Sequence, residues 1–243
     1  LVTLQTRSGD YLGALSRARS IDVPESRIRA LRTVAVAQTA AVGTAAARSV
    51  AALIDDARER DVTYRQIAER AAALGRSQEA VEVIYEIELP EERASALARV
   101  AHTRARRGSL KPARLLIMDA ERTVELIPNQ KNQWRAIGAL AEAYAEARES
   151  GAALSAAASI GDAGLRDRAY QQLSRKFASI PDVELAAHSA QAITRQTTRE
   201  RALADMARTV AGKTQPKEAI GRLKDFDSRS QQVRFLLAVA ERI

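Results

Sequence analysis

The sequence predicts an all-α protein built as an α-solenoid of stacked helix pairs, and three observations carry that expectation. Alanine is abundant, aromatic residues make up only 4%, and glycine and proline number 11 and 6 in 243 residues. Such a composition favours helices and leaves little of the β-branched and aromatic material that strands prefer. Helix-breaking residues recur at a nearly constant interval. Between them, large side chains return with helical spacing.

The interval is marked by Gly9, Gly43, Gly75, Gly108, Gly151 and Gly212, with Pro181 in the remaining place, at successive spacings of 34, 32, 33, 43, 30 and 31. Repeats of this length identify stacked supersecondary units. A glycine between helices permits the left-handed residue that ends one helix and lets the next begin. A small residue follows each mark: Ala14, Ala47, Ala80, Ala113, Ala156, Ala186 and Ala219. Close approach of neighbouring helix backbones is expected at these alanines.

In chain order, GDYLGALSRARSI predicts a lone helix over residues 8–20, and SRIRALRTVA (26–35) opens the first full pair. Its pattern of an arginine, a large residue four positions on and another three beyond returns throughout. The sets are Arg27/Leu31/Val34, Arg60/Tyr64/Ile67, Arg93/Leu97/Val100, Arg166/Tyr170/Leu173, Arg199/Leu203/Met206 and Arg229/Val233/Leu236, with Gln133 replacing the arginine in the fourth unit. An i, i+4, i+7 pattern places all three side chains on one helical face. The fourth unit also carries an insertion near ERTVELIPNQKNQ, and residues 228–243 predict a closing lone helix. The whole chain, 1–243, is expected to form one domain of about six helix pairs with a half repeat at each end. Its first residues, LVTLQTR, read as the tail of a helix that begins earlier, so upstream repeats are expected.

Each unit, running from an arginine-led helix into the following glycine, resembles a tetratricopeptide repeat. GRSQEAVEVIYEIELP (75–90) is similar to the second half of that motif, including its closing proline. The likeness covers nearly the whole chain but is degenerate: the family's Trp, Leu-Gly and Tyr give way to pairs such as Val100-Ala101 and Ile67-Ala68. The resemblance implies a right-handed superhelix whose first helices line a concave groove. The groove positions it implies are Arg65, Glu69, Ser95, His102, Arg106, Arg168, Gln171, Arg175, Arg201 and Arg208, six arginines against one glutamate. Such a surface suits an extended acidic peptide or a C-terminal carboxylate.

Catalysis finds no support. There are no cysteines, which excludes disulfides, zinc-thiolate sites and cysteine nucleophiles. His102 and His188 have no metal-spaced partner, and no G-x-S-x-G, P-loop or G-x-G-x-x-G occurs. No cofactor or metal is expected. The longest uncharged run, residues 33–47, is too short to span a bilayer, and no membrane insertion is expected. A cytoplasmic and a periplasmic setting both remain open.

The expected function is therefore non-enzymatic binding of a protein or peptide partner. The formal charge of +8 makes nucleic acid or another polyanion the alternative. The stretch ARVAHTRARRGSLKPAR (98–114) carries Arg99, Arg104, Arg106, Arg107, Lys111 and Arg114 with no acid, directly after the acidic EIELPEE. It reads either as a polyanion site without aromatics for base stacking or as a solvated hairpin tip. The arginine column is expected to brace helices through nearby acids such as Asp56, Glu91, Asp162 and Asp227, although a ladder of guanidinium groups also suits phosphate. Trp134 reads as core filling or as an interface anchor.

Overall fold

In a computed structural model the protein is all-α, with thirteen helices and no strand among the described residues, which are 1–180, 182–212 and the single positions Gly221, Gln232, Leu236 and Val239. Of the expected closing helix at 228–243, the single positions Gln232, Leu236 and Val239 are described and helical; Arg229 and Val233, with Asp227 and the marks at Pro181 and Ala219, lie outside the described residues. The chain divides into two compact units, Leu1–Asn129 and Gln130–Ile243.

The first unit begins with α1 (Val2–Ser8) and α2 (Tyr11–Arg19), followed by three hairpins: α3 (Pro24–Ala41) with α4 (Thr44–Ala51), α5 (Ala57–Ala73) with α6 (Ser77–Tyr85), and α7 (Pro90–Arg106) with α8 (Leu110–Glu125). The second unit contains α9 (Gln130–Glu146), α10 (Ser150–Ala158), α11 (Ala163–Ser179), α12 (Val183–Gln191) and α13 (Gln196–Ala211). Within each unit, first helices pack on first helices, α3 on α5 on α7 and α9 on α11 on α13. The second helices α4, α6, α10 and α12 each fill the angle between their own first helix and the next. No described helix is long and apolar enough to cross a membrane.

Local chemistry explains where the helices begin. Pro24 and Pro90 open α3 and α7 at a position where a missing N–H removes no helical bond. Asp56 and Asp162 cap α5 and α11 by accepting from the Glu59 and Leu165 amides, at 2.8 Å each. The Leu-Pro break at Leu89-Pro90 is thus a unit boundary, as its spacing predicts.

Three turns between paired helices carry a left-handed glycine, Gly9, Gly75 and Gly108, with φ of 86°, 85° and 82°. In the fourth pair the rhythm departs from expectation. Gly151 lies inside α10, and the left-handed residue is Arg148, with φ 66°. The closely packed alanine shifts accordingly: Ala153 is fully buried, whereas Ala156 is half-buried. Gly212 also departs, with a right-handed φ of −59°. Local glycine spacing misled here because a glycine inside a helix carries the same letter as one in a turn.

The arginine column has a uniform structural job. Arg27, Arg60, Arg93, Arg166 and Arg199 each donate to the carbonyl of an isoleucine six residues earlier: Ile21, Ile54, Ile87, Ile160 and Ile193, at 3.1, 3.3, 2.7, 3.0 and 3.2 Å. Those carbonyls follow the ends of the second helices, where backbone acceptors lack helical partners. Four of the isoleucines are essentially fully buried. The expected acidic braces are corrected in two places, since Asp56 and Asp162 serve as helix caps. Arg60 does reach an acid, Glu88, at 3.8 Å.

The isoleucines give the true period. Ile21, Ile54, Ile87, Ile127, Ile160 and Ile193 are 33 residues apart at every step except one of 40. The seven extra residues extend α8 to 16 residues, against 9 in α6. Seven residues are almost two helical turns, so the buried face continues through Ala113, Leu116, Ile117, Ala120 and Val124.

Candidate anion-binding faces on the first helices

Repeat register determines which positions on neighbouring first helices face each other. The residue five after each column arginine lies near the residue just before the next one. Between α3 and α5 this pair is Arg32 and Glu59, which form an ion pair. Between α5 and α7 it is Arg65 and Glu92, with Arg65 Nε 2.7 Å from the carboxylate. Arg65 also bonds Glu69 at 2.8 Å, and Arg99 approaches the same Glu69 at 3.4 Å. Burial disfavours the Arg65 charge, but its bonds to Glu92 and Glu69 outweigh that and raise its pKa. Two of the expected groove residues, Arg65 and Glu69, are thus engaged with each other and with their neighbours.

Other expected residues of the first unit divide by exposure. Arg106 is exposed, while Ser95 and His102 are half-buried on α7. The basic stretch around them is partly structural. Arg104 donates to the Ser77 carbonyl at 2.7 Å and Arg107 to the Ala73 carbonyl at 2.5 Å, near the end of α5. Burial pushes the Arg104 guanidinium pKa down. Arg76 does the same service for α3, donating to Thr39 O at 2.6 Å. Arg107 and Arg76 thus act at helix C-termini, where cations offset both the orphan carbonyls and the macrodipole, whereas Arg104 reaches the start of α6.

Between α11 and α13 the register pair is Gln171 and Thr198, so the ion pair of the earlier junctions is replaced by neutral groups. A cleft of about 400 Å³ opens there, lined by Arg168, Gln171, Arg195, Thr197, Thr198 and Arg201, with Gly164 and Asp167. Arg168, Arg195 and Arg201 are all exposed, and no hydrogen bond or ion pair engages their guanidinium groups among the described residues. Farther along the same junction, Arg175 and Arg208 both approach Asp205, at 3.5 and 2.5 Å. The structure therefore brings Arg168, Gln171 and Arg201 together and sets Arg175 and Arg208 around a shared carboxylate.

The wall of this cleft is held by Asp167, which is 6% exposed. One carboxylate oxygen accepts from the Thr194 amide and hydroxyl, at 2.7 and 2.8 Å, and the other from the Arg195 amide at 3.0 Å. Burial disfavours its charge, but these bonds and nearby Arg166 outweigh that and leave its pKa below the usual range. Asp61 holds the matching place on α5, accepting from the Glu88 and Leu89 amides at 3.0 and 2.7 Å through one oxygen only. Its other oxygen, Oδ1, has no partner among the described residues, and burial raises its pKa. Both aspartates directly follow a column arginine, a signal that the sequence reading passed over.

A second cleft, of about 660 Å³, lies in the first unit beside α1, α3 and α5, with Arg7, Arg29, Arg32 and Arg70 in its lining. Arg7, Arg29 and Arg70 are exposed, and no carboxylate engages their side chains among the described residues. These three and Arg195 were missed by counting from glycines, because Arg195 sits in a turn and the register of the first unit is set by the isoleucines. Trp134, half-buried, packs against the second unit's core, and a Cβ on Gly161 would lie 2.5 Å from its ring. Among the described residues no cluster of His, Asp or Glu could hold a metal ion.

No family model matches the chain, and no curated protein matches it. Among solved structures it is similar to the crystal structure of Ton1535 from Thermococcus onnurineus NA1, at 14% identity, covering 100% of this chain and 98% of that one, with a TM-score of 0.34.

Proposed function

We propose that the chain is a non-enzymatic, tetratricopeptide-like scaffold that docks an acidic protein or peptide segment on the arginine-rich faces of its first helices. One observation carries this reading. The molecule engages many of its arginines with carboxylates or backbone carbonyls, yet Arg168, Arg195 and Arg201 around one cleft are exposed and have no such partners among the described residues. Guanidinium groups held on packed helices and on a turn anchored by Asp167 present paired donors to carboxylates at little ordering cost. The Arg7, Arg29 and Arg70 face supports the same chemistry. The competing polyanion reading has less behind it, since among the described residues Tyr11 is the only aromatic side chain lining either cleft.

The test is titration of a fluorescent glutamate-rich peptide into the wild-type chain and into Arg168→Glu with Arg175→Glu. Loss of binding with unchanged helicity is expected. Melting should shift little, because a half-exposed pair such as Arg175–Asp205 contributes about 0–1 kcal/mol. Wild-type affinity in the double variant would contradict the reading. Tighter binding to an oligonucleotide of equal charge, with a steep loss in salt, would favour the polyanion alternative.

A further inference from the structure

The cleft between α11 and α13 differs from the α3/α5 and α5/α7 junctions in a way that specifies a ligand. At α3/α5 and α5/α7 an arginine and a glutamate at fixed register tie the helices together. Here both members of that brace are replaced at once, arginine by Gln171 and glutamate by Thr198. Losing only the arginine would leave a carboxylate facing the cleft and would repel anions. Losing both removes the bridge and the negative charge together, and leaves an amide and a hydroxyl that donate hydrogen bonds.

The surrounding charge then has a definite balance. Arg168, Arg195 and Arg201 line the cleft against one carboxylate, Asp167. Both Asp167 oxygens are occupied by Thr194 and Arg195, so that group positions the turn carrying Arg195. A surplus of two positive charges remains. Neither α11 nor α13 has an acidic residue in its first turn, whereas α3, α5 and α7 carry Glu25, Glu59 and Glu91 with Glu92 there. The volume, about 400 Å³, is near the small end of ligand pockets, roughly 300–1,000 Å³. It accommodates an oxyanion head and the side chain that bears it.

We infer that the α11/α13 cleft is a binding site for a group with two negative charges carried on oxygen, gripped by Arg168, Arg195 and Arg201 with Gln171 and Thr198 as neutral donors. This rests on the scaffold reading in taking that group to be part of a docked peptide. Two peptide groups share that chemistry: a phosphoserine side chain, and an aspartate at a C-terminus with its two carboxylates. Three guanidinium groups match either one through paired N–H···O bonds.

Calorimetric titrations at fixed salt with inorganic phosphate and three otherwise identical ten-residue peptides distinguish the sources. One peptide carries phosphoserine, one carries serine, and one ends in aspartate. Either dianion-bearing peptide should bind at least about ten-fold more tightly than the serine peptide, and the one that does names the source. Arg201→Ala should weaken that binding at least about ten-fold. A second variant, Gln171→Arg with Thr198→Glu, rebuilds the brace of the earlier junctions and should abolish binding while raising the melting temperature, so lost binding cannot be ascribed to unfolding. Equal and measurable affinity for all three peptides, no binding of any peptide or of phosphate, or undiminished binding in either variant, overturns the site. If the glutamate-rich peptide binds nonetheless, the scaffold reading survives that failure. If inorganic phosphate binds and every peptide fails, the site stands and the scaffold reading falls.

Discussion

Arg148 occupies, with φ of 66°, a turn position that Gly9, Gly75 and Gly108 fill elsewhere. A side chain there clashes with its own backbone, at a cost of about 1–2 kcal/mol, which glycine would avoid while losing some chain entropy on folding. Arg148→Gly should therefore stabilise the protein by about 0.5–1 kcal/mol in chemical denaturation. A lower midpoint would show that the arginine makes a compensating contact. Asp167 allows a second test at this scale. Its depressed pKa means that it contributes stability above the ordinary carboxylate pKa, near 4, and that this contribution disappears as pH falls through the lower folded value. Asp167→Asn should lower the melting temperature clearly at pH 7 and much less at pH 3. An equal loss at both pH values would show that the charge is irrelevant. Asp61, whose pKa moves up, carries the opposite sign, so its ionised form is disfavoured in the folded chain at neutral pH.

At the scale of the element, the column arginine and its isoleucine form one device that ties a second helix to the first helix that follows. Arg93→Ala removes the 2.7 Å bond to the Ile87 carbonyl and leaves a part-buried acceptor without it. Destabilisation of about 1–3 kcal/mol is expected from thermal melts, more than the few tenths of an ordinary surface change. Unchanged melting would release the column for a binding role. The helices and the arginine column were legible in the sequence because period and side-chain size carry them. Leu31, Val34, Leu97, Val100, Leu173 and Met206 are all buried as the i, i+4, i+7 pattern requires. The arginines' actual acceptors were not legible, since a backbone carbonyl leaves no mark in the residue letters. The insertion in the fourth unit was visible, but its form, two added turns of α8, follows from seven residues nearly matching two turns.

Across the whole molecule, the surplus of positive charge proves uneven in use. Arg32, Arg65, Arg76, Arg104 and Arg107 are engaged by carboxylates or carbonyls, while Arg168, Arg195 and Arg201 converge on an open cleft. Arg168, Gln171 and Arg201, all expected on the groove face, line one cleft between α11 and α13. The sequence reading also counted Arg65 and Glu69 into the groove, since a list of basic residues does not distinguish a guanidinium facing an acid 27 positions away from one facing solvent. Comparing paired register positions, Arg65 with Glu92 and Gln171 with Thr198, separates the two cases. The most direct measurement of the central claim is the affinity of an acidic peptide for the wild-type chain and for Arg168→Glu with Arg175→Glu, at matched helicity. Docking on the arginine-rich face predicts that charge reversal abolishes binding. Retention of wild-type affinity would contradict it.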